Sequence, residues 1–209
     1  MNKLFHPENP VMIFLSHIWD LIVLNFFFLL TSLPLFTLGA SLTALSRVAL
    51  NMAEGDFDGI PREYFSSFRK NFKQATPIWL LLLFISLFLG FDLYVVFFRI
   101  DEAYRILQYP VWLLLFADVS VMLYAFPLLA RYEQDTVSVL KNSILLSLGN
   151  IPTTIFMLVV LFVIADLSLH NGSLLVLFFS LSLFNGCALL SRIFMIFLNR
   201  IFHKVSDPG

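Results

Sequence analysis

A single cysteine, Cys187, stands in a chain of 209 residues. No intrachain disulfide and no thiolate metal site can be built from it. Charge is scarce as well: 13% of residues are Asp, Glu, Lys or Arg, against about 25% in soluble domains. The histidines (His6, His17, His170, His203) are scattered and show no H-x-x-x-H spacing, so no metal site and no cofactor are expected. The catalytic signatures G-x-S-x-G, H-E-x-x-H and G-x-x-x-x-G-K-[ST] are missing. A formal net charge of -1 offers nothing to nucleic acid. These absences predict a protein that is not an enzyme.

What the sequence has instead is apolar length. Hydrophobic residues make up 59% of it and phenylalanine alone contributes 25 positions. Mean hydropathy is +0.88. Runs long enough to cross a hydrocarbon core of about 30 Å recur at 11–33, 77–98, 106–130, 151–169 and 173–198. The lipid bilayer offers the backbone no hydrogen-bond partners, so each run must be helical. The fold class expected is therefore all-α, a polytopic membrane helix bundle of five to six transmembrane helices forming a single integral membrane domain over 1–209. The apolar region from Val11 to Leu38 exceeds a signal-peptide core of about 7–15 residues, which keeps it in the fold.

The number of crossings turns on Ser32-Leu33-Pro34. Proline removes a helical hydrogen bond and restricts the residue before it, so the first span should bend or stop there. Beyond it, Leu35, Leu38, Leu42, Leu45 and Ala49 share one helical face, with Gly39 and Ala40 suited to close helix packing. Either the chain crosses once before Ala44, or 35–51 forms the second arm of a hairpin. The two readings put Lys3 and the N-terminus on opposite sides.

Amphipathic stretches lie between the spans. In 61–76, Phe65, Phe68 and Phe72 alternate with Arg62, Arg69, Lys70 and Lys73, the pattern of an interfacial helix. Phe65, Phe68, Arg69, Phe72 and Lys73 are thus candidate contacts to a partner or to anionic lipid. The stretch 132–149 is similar, with Asp135 as its expected N-cap. Units 61–130 and 132–198 echo one another weakly. If the loop 44–76 is cytoplasmic, Arg47, Arg62, Arg69, Lys70, Lys73, Arg131, Lys141, Arg192, Arg200 and Lys204 lie inside and Arg99 and Arg105 outside. The positive-inside rule then puts the C-terminus in the cytoplasm.

Aspartates within spans are costly and are functional candidates by default. Asp92 and Asp166 fall toward the outer leaflet and Asp118 nearer the midplane. One reading makes Asp92, Asp118 and Asp166 a polar path for a solute or ion; the other gives them hydroxyl partners on neighbouring helices. Ser182, Asn185 and Gly186 form a small-residue packing motif with an interhelical hydrogen bond in reach of Asn185, which leaves homo-oligomerisation open.

One block of residues is Asp20-Leu21, Leu24-Asn25, Ser32-Leu33-Pro34, Thr37, Gly39-Ala40-Ser41 and Ala44-Leu45. A second block is Phe65, Ser67-Phe68-Arg69 and Asn71-Phe72-Lys73-Gln74-Ala75-Thr76. Weaker blocks are Phe126-Pro127-Leu128, Ala130-Arg131-Tyr132 and Leu140-Lys141-Asn142. In these blocks the sequence resembles the YesL-like family of bacterial integral membrane proteins, a domain of unknown function. Phe28 departs from the tryptophan expected there, keeping an aromatic ring without the indole donor. The resemblance implies a bacterial cell-membrane protein encoded beside carbohydrate ABC-transporter and glycoside-hydrolase genes, and supplies no catalytic residues. Two functions follow as expectations. One is a protein accessory or regulatory to ABC-type carbohydrate uptake, touching permease subunits; the other is a small solute or ion transporter or channel using the aspartates.

Overall fold

The computed structural model describes residues 10–55, 59–99, 106–170 and 172–206, and among them every regular element is helical. The helices are α1 (Pro10–Ser32), α2 (Leu38–Glu54), α3 (Ile60–Phe98), α4 (Gln108–Arg131), α5 (Thr136–Gly149), α6 (Ile151–His170), α7 (Gly172–Leu181) and α8 (Cys187–Ser206). A short 3-10 turn (Leu35–Thr37) joins α1 to α2, and a π segment (Ser182–Gly186) joins α7 to α8. Six of the resulting helical stretches are long and apolar enough to cross a membrane, α7 and α8 counting as one. The all-α bundle is thus as expected. Lys3, His6 and Arg105 lie outside the described residues.

The proline at 34 does end α1, and the chain turns back as a hairpin. Thr37 Oγ1 donates to the carbonyl of Pro34 at 2.7 Å, and Ser41 Oγ donates to Thr31 Oγ1 at 2.9 Å across the turn. Leu21, Leu24 and Phe28 of α1 share one apolar cluster with Ala44, Leu45 and Val48 of α2. From α3, Trp79 Nε1 donates to the Leu35 carbonyl at 2.8 Å and fixes the turn from the side.

Helix α2 is the buried axis of the bundle, packed by α1, α3, α4 and α8. Its composition explains this. Gly39, Ala40, Ser41, Ala44, Ser46 and Ala49 are all buried, and small side chains let neighbouring backbones approach closely. Its buried hydroxyls stay satisfied inside the helix: Ser41 bonds the Thr37 carbonyl (3.1 Å) and Thr43 the Gly39 carbonyl (2.9 Å). Gly55, at φ 78°, closes the helix in the left-handed conformation, its N–H on the Asn51 carbonyl.

Helix α3 departs from expectation. The stretch 61–76 is not a separate interfacial helix followed by a span; α3 runs unbroken for 39 residues, with Pro77 inside it. At 1.5 Å per residue that is about 58 Å, far more than a hydrocarbon core. Its exposed positions divide sharply. Up to Lys73 they are Pro61, Arg62, Ser66, Arg69, Lys70 and Lys73; from Pro77 to Phe98 every one is apolar or aromatic. The apolar part is about 32 Å long. Helix α2 lies antiparallel along the polar part: Asn51 Nδ2 donates to Glu63 Oε2 at 2.9 Å, Gly39 abuts Ala75, and the α1–α2 turn reaches Trp79. That turn therefore sits about halfway along α3.

The later units differ in the same respect. Where α3 continues through Pro77, the chain of α5 stops at Gly149 and α6 begins at Ile151. Asp135 caps α5 as expected, accepting from the Ser138 amide at 3.2 Å. The last span, expected over 173–198, runs as one helical stretch that the π segment widens.

Candidate functional site

Where α2, the first half of α3 and the α4–α5 connection meet, the chain encloses a polar cavity of about 450 Å³. Its walls carry Arg47 and Asn51 from α2, Glu63, Ser66, Ser67, Lys70 and Asn71 from α3, and Arg131, Tyr132 and Glu133 from the end of α4. The volume suits a small ligand or an inserted loop. These residues are far apart in sequence, and the antiparallel pairing of α2 with α3 and of α3 with α4 brings them to one end.

The charges there are mutually engaged. Arg47 Nη1 donates to the Ala130 carbonyl at 3.2 Å. Arg131 pairs with Glu54 at 3.1 Å, donates to Asn199 Oδ1 on α8, and lies over the rings of Tyr132 and Phe202. Lys70 and Glu133, both lining the cavity, form an exposed ion pair. The Lys70 hydrogen bond and charge hold the Glu133 carboxyl below the usual carboxylate range. Asp135, two residues on, is also lowered, through its bonds to Ser138. Gln74 Nε2 donates to the Gln134 carbonyl at 2.7 Å, tying the same connection to α3. The cavity therefore has a braced frame, with one exposed ion pair among its lining residues.

The sequence-predicted contact residues split by type. Arg69 and Lys73 are exposed, whereas Phe65, Phe68 and Phe72 are half-buried. Phe65 meets Phe27 of α1 edge-on at 5.1 Å, and Phe68 stacks on the buried ring of Tyr64 at 6.5 Å and contacts Phe72 at 5.6 Å. The aromatic side of 61–76 faces the bundle; the surface it leaves to a partner or to headgroups is the basic one.

The predicted aspartates stand apart. Asp118 is buried in the wall of a second, apolar cavity of about 620 Å³ between α3, α4, α5 and α6, where Ser86 Oγ donates to its Oδ2 at 2.5 Å. Asp92 is half-buried on α3, and Asp166 on α6 lies 3.3 Å from His170 Nδ1 one turn away. Neither Asp92 nor Asp166 lines the cavity that holds Asp118. No three His, Cys, Asp or Glu side chains gather among the described residues in a way that would hold a metal ion.

Gly39 packs directly on α3: a Cβ there would fall 2.5 Å from the Ala75 carbonyl oxygen and 2.6 Å from Trp79 Cβ. Ala40, beside it, is fully buried in the cluster with Ala75, Ile78 and Leu82. Ser182, Asn185 and Gly186 belong to the π segment, and the interhelical bonds there come from Asn25 of α1 rather than from Asn185. Asn25 Nδ2 donates to the Ser182 and Leu183 carbonyls at 2.7 and 2.9 Å, and its Oδ1 accepts from the Ala188 amide at 3.2 Å. Asn185 Oδ1 is buried with no hydrogen-bond partner among the described residues. A Cβ on Gly186 would meet the Leu181 backbone of its own widened turn at 3.1 Å.

Asn51, Glu63 and Glu133 are not among the residues that the sequence pattern marks; Arg47 and Arg131 stand there as topology markers, Arg131 also within a block of the resemblance. Asn25 did carry a signal, as an amide inside an apolar run. Searches of curated proteins and of solved structures returned no match to this chain. Residues 21–93, from the middle of α1 through most of α3, match the family described as Protein of unknown function, DUF624.

Proposed function

We propose that this chain is a YesL-like, non-enzymatic protein of the bacterial cell membrane that assists or regulates a carbohydrate uptake system of the ABC type. It would do so by presenting the polar half of α3 to a permease subunit. The observation that carries this reading is the change of surface along one rigid helix. Pro77 to Phe98 expose only apolar and aromatic groups, while Arg62, Ser66, Arg69, Lys70 and Lys73 are exposed on the same helix beyond the apolar boundary. A stiff, basic rod braced from behind by α2 is suited to docking an acidic surface or loop. The charged cavity beside it offers polar groups in which such a loop can be seated. The positive-inside rule supports a cytoplasmic position for this end, and the bond from Arg131 to Asn199 keeps that part of α8 at the same end. The family match over 21–93 covers the elements that build this face and agrees with the resemblance in having no assigned activity.

A transporter working through Asp92, Asp118 and Asp166 has less support, since neither Asp92 nor Asp166 lines the cavity that holds Asp118. The deciding experiment places a photoreactive residue at Arg69 in cells grown on the inducing sugar and recovers the adducts by pull-down. Adducts with permease subunits that vanish in Arg62→Glu/Lys73→Glu support the reading. Recovery of this protein alone, despite efficient photolysis, would sink it.

A further inference from the structure

The second cavity has a composition the docking reading does not use. Its lining includes Leu81 and Ile85 of α3, Leu113 and Phe116 of α4, and Ile144 and Leu148 of α5. Leu81, Leu113, Phe116, Ile144 and Leu148 are all exposed, so the groove opens sideways, onto the apolar flank of the bundle. Ser86, which reaches Asp118, lies nine residues beyond Pro77, about 13 Å into the apolar stretch of α3. The opening thus faces hydrocarbon rather than water.

Asp118 is the acidic group among the lining residues, and it has acceptor sites to spare. Ser120 donates to the Phe116 carbonyl at 2.6 Å, Ser147 to the Ile144 carbonyl at 2.9 Å, and Thr154 to the Ser147 carbonyl at 2.9 Å, so these hydroxyls have given their hydrogen to backbone. Asp118 is 7% exposed and receives one bond, from Ser86. A carboxyl group has acceptor sites for more than that. No cationic residue is among the lining residues. An acidic group inside an apolar span, held by one hydroxyl and beside an open groove, marks a binding site by its cost. The volume, about 620 Å³, falls within the range of small-molecule sites, which are mostly apolar with few orienting polar groups.

We propose that this groove binds a lipophilic amine entering from the bilayer. Its alkyl chain would lie against Leu81, Leu113 and Leu148, and its ammonium on Asp118. The site is independent of the docking face on α3. A basic side chain on a partner's transmembrane helix is the competing occupant, but the cavity offers a small-molecule volume rather than a full helix-wide trough.

The test uses the full chain in phosphatidylcholine nanodiscs, titrated with 12-bromododecylamine and followed by tryptophan quenching. Trp112 lies on α4 six residues from Asp118, about 9 Å along the helix. Saturable quenching is expected with the amine, and only linear partitioning with 12-bromododecanoic acid. Asp118→Asn should weaken the amine at least tenfold. Ala117→Phe, which fills the groove and keeps the carboxyl, should abolish the saturable phase. Should Asp118→Asn fail to fold, Ala117→Phe and the acid control still decide. Equal quenching by acid and amine, or saturable binding that survives Ala117→Phe, would overturn the proposal. So would the absence of saturable quenching by the amine in the parent chain, which would leave the groove to another occupant such as a partner helix.

Discussion

Asn25 on α1 donates to the Ser182 carbonyl on the last helical hairpin arm at 2.7 Å, joining two helices that are 157 residues apart in sequence. The same amide accepts from the Ala188 N–H, so one side chain serves both edges of the π segment. A π segment leaves backbone groups unevenly paired within a helix, and lipid cannot pair them. Asn25→Ala should therefore destabilise the fold by about 1–3 kcal/mol. Asn25→Asp should do at least as much harm, because it keeps the acceptor and loses both donors. Thermal unfolding in detergent, read by circular dichroism, checks both; an Asn25→Ala variant that melts with the parent would refute the role.

The α2–α3 contact makes a sharper demand. At Gly39 the obstacle to a methyl group is the Ala75 backbone carbonyl, which cannot rotate away as a side-chain tip can. Gly39→Ala should cost about 1–3 kcal/mol as overpacking and Gly39→Val more. At Gly90, on the apolar half of the same α3, an added methyl group would meet nothing within 4 Å. Gly90→Ala should be neutral or gain up to about 1 kcal/mol in helix propensity. Equal behaviour of the two alanine variants in the same unfolding assay would count against the packing account.

These contacts mark what the sequence could and could not disclose. The spans were legible because burial in lipid demands long apolar runs, and residues 106–130, for example, fall almost where α4 lies. Pro34 was legible as a break for steric reasons. Pro77 misled because a proline near the start of an apolar run looks like the first turn of a helix; here the helix already in progress carries through it. The charged cavity was hidden for a topological reason: Asn51 and Glu63 belong to neighbouring helices, but Arg131 and Glu133 arrive only when α4 folds back beside α3. The π segment was hidden because its widened turn is held by Asn25, which no local pattern around Ser182 encodes.

Protonation should loosen the α4–α5 connection. Both Glu133 and Asp135 have carboxyl groups held below their ordinary range by bonds formed in the folded chain. A lowered folded value means the contribution is complete above the unfolded value and is lost as pH falls through the folded one. The Ser138 amide, which donates to Asp135, should exchange hydrogen faster relative to its intrinsic rate as pH drops through and below about 4. Asp135→Asn keeps a capping oxygen without the charge, and should remove the pH dependence while retaining protection. Asp135→Ala should lose protection at every pH. Protection at Ser138 that is constant down to pH 3 in the parent would dispose of the linkage.

Sidedness follows from which ends share contacts. Glu54 closing α2 and Asn199 near the end of α8 both bond Arg131 at the end of α4, while Lys70 on the polar half of α3 pairs with Glu133 just beyond it. Phe98 lies at the opposite end of α3, some 42 Å from Lys70 along the helix. In a background where Cys187 is replaced by alanine, single cysteines at Ser66 and Arg200, both outside the apolar stretch of α3 and toward the Arg131 end, should react with an impermeant maleimide from one face of the membrane. A cysteine at Arg99 should react from the other. With the basic residues gathered at the Arg131 end, the first face should be the cytoplasmic one, so Ser66 and Arg200 label only in inverted vesicles. Labelling of Ser66 and Arg99 from the same face would mean that α3 does not span the membrane. Labelling of Ser66 and Arg200 from opposite faces would contradict the packing of α8 against Arg131.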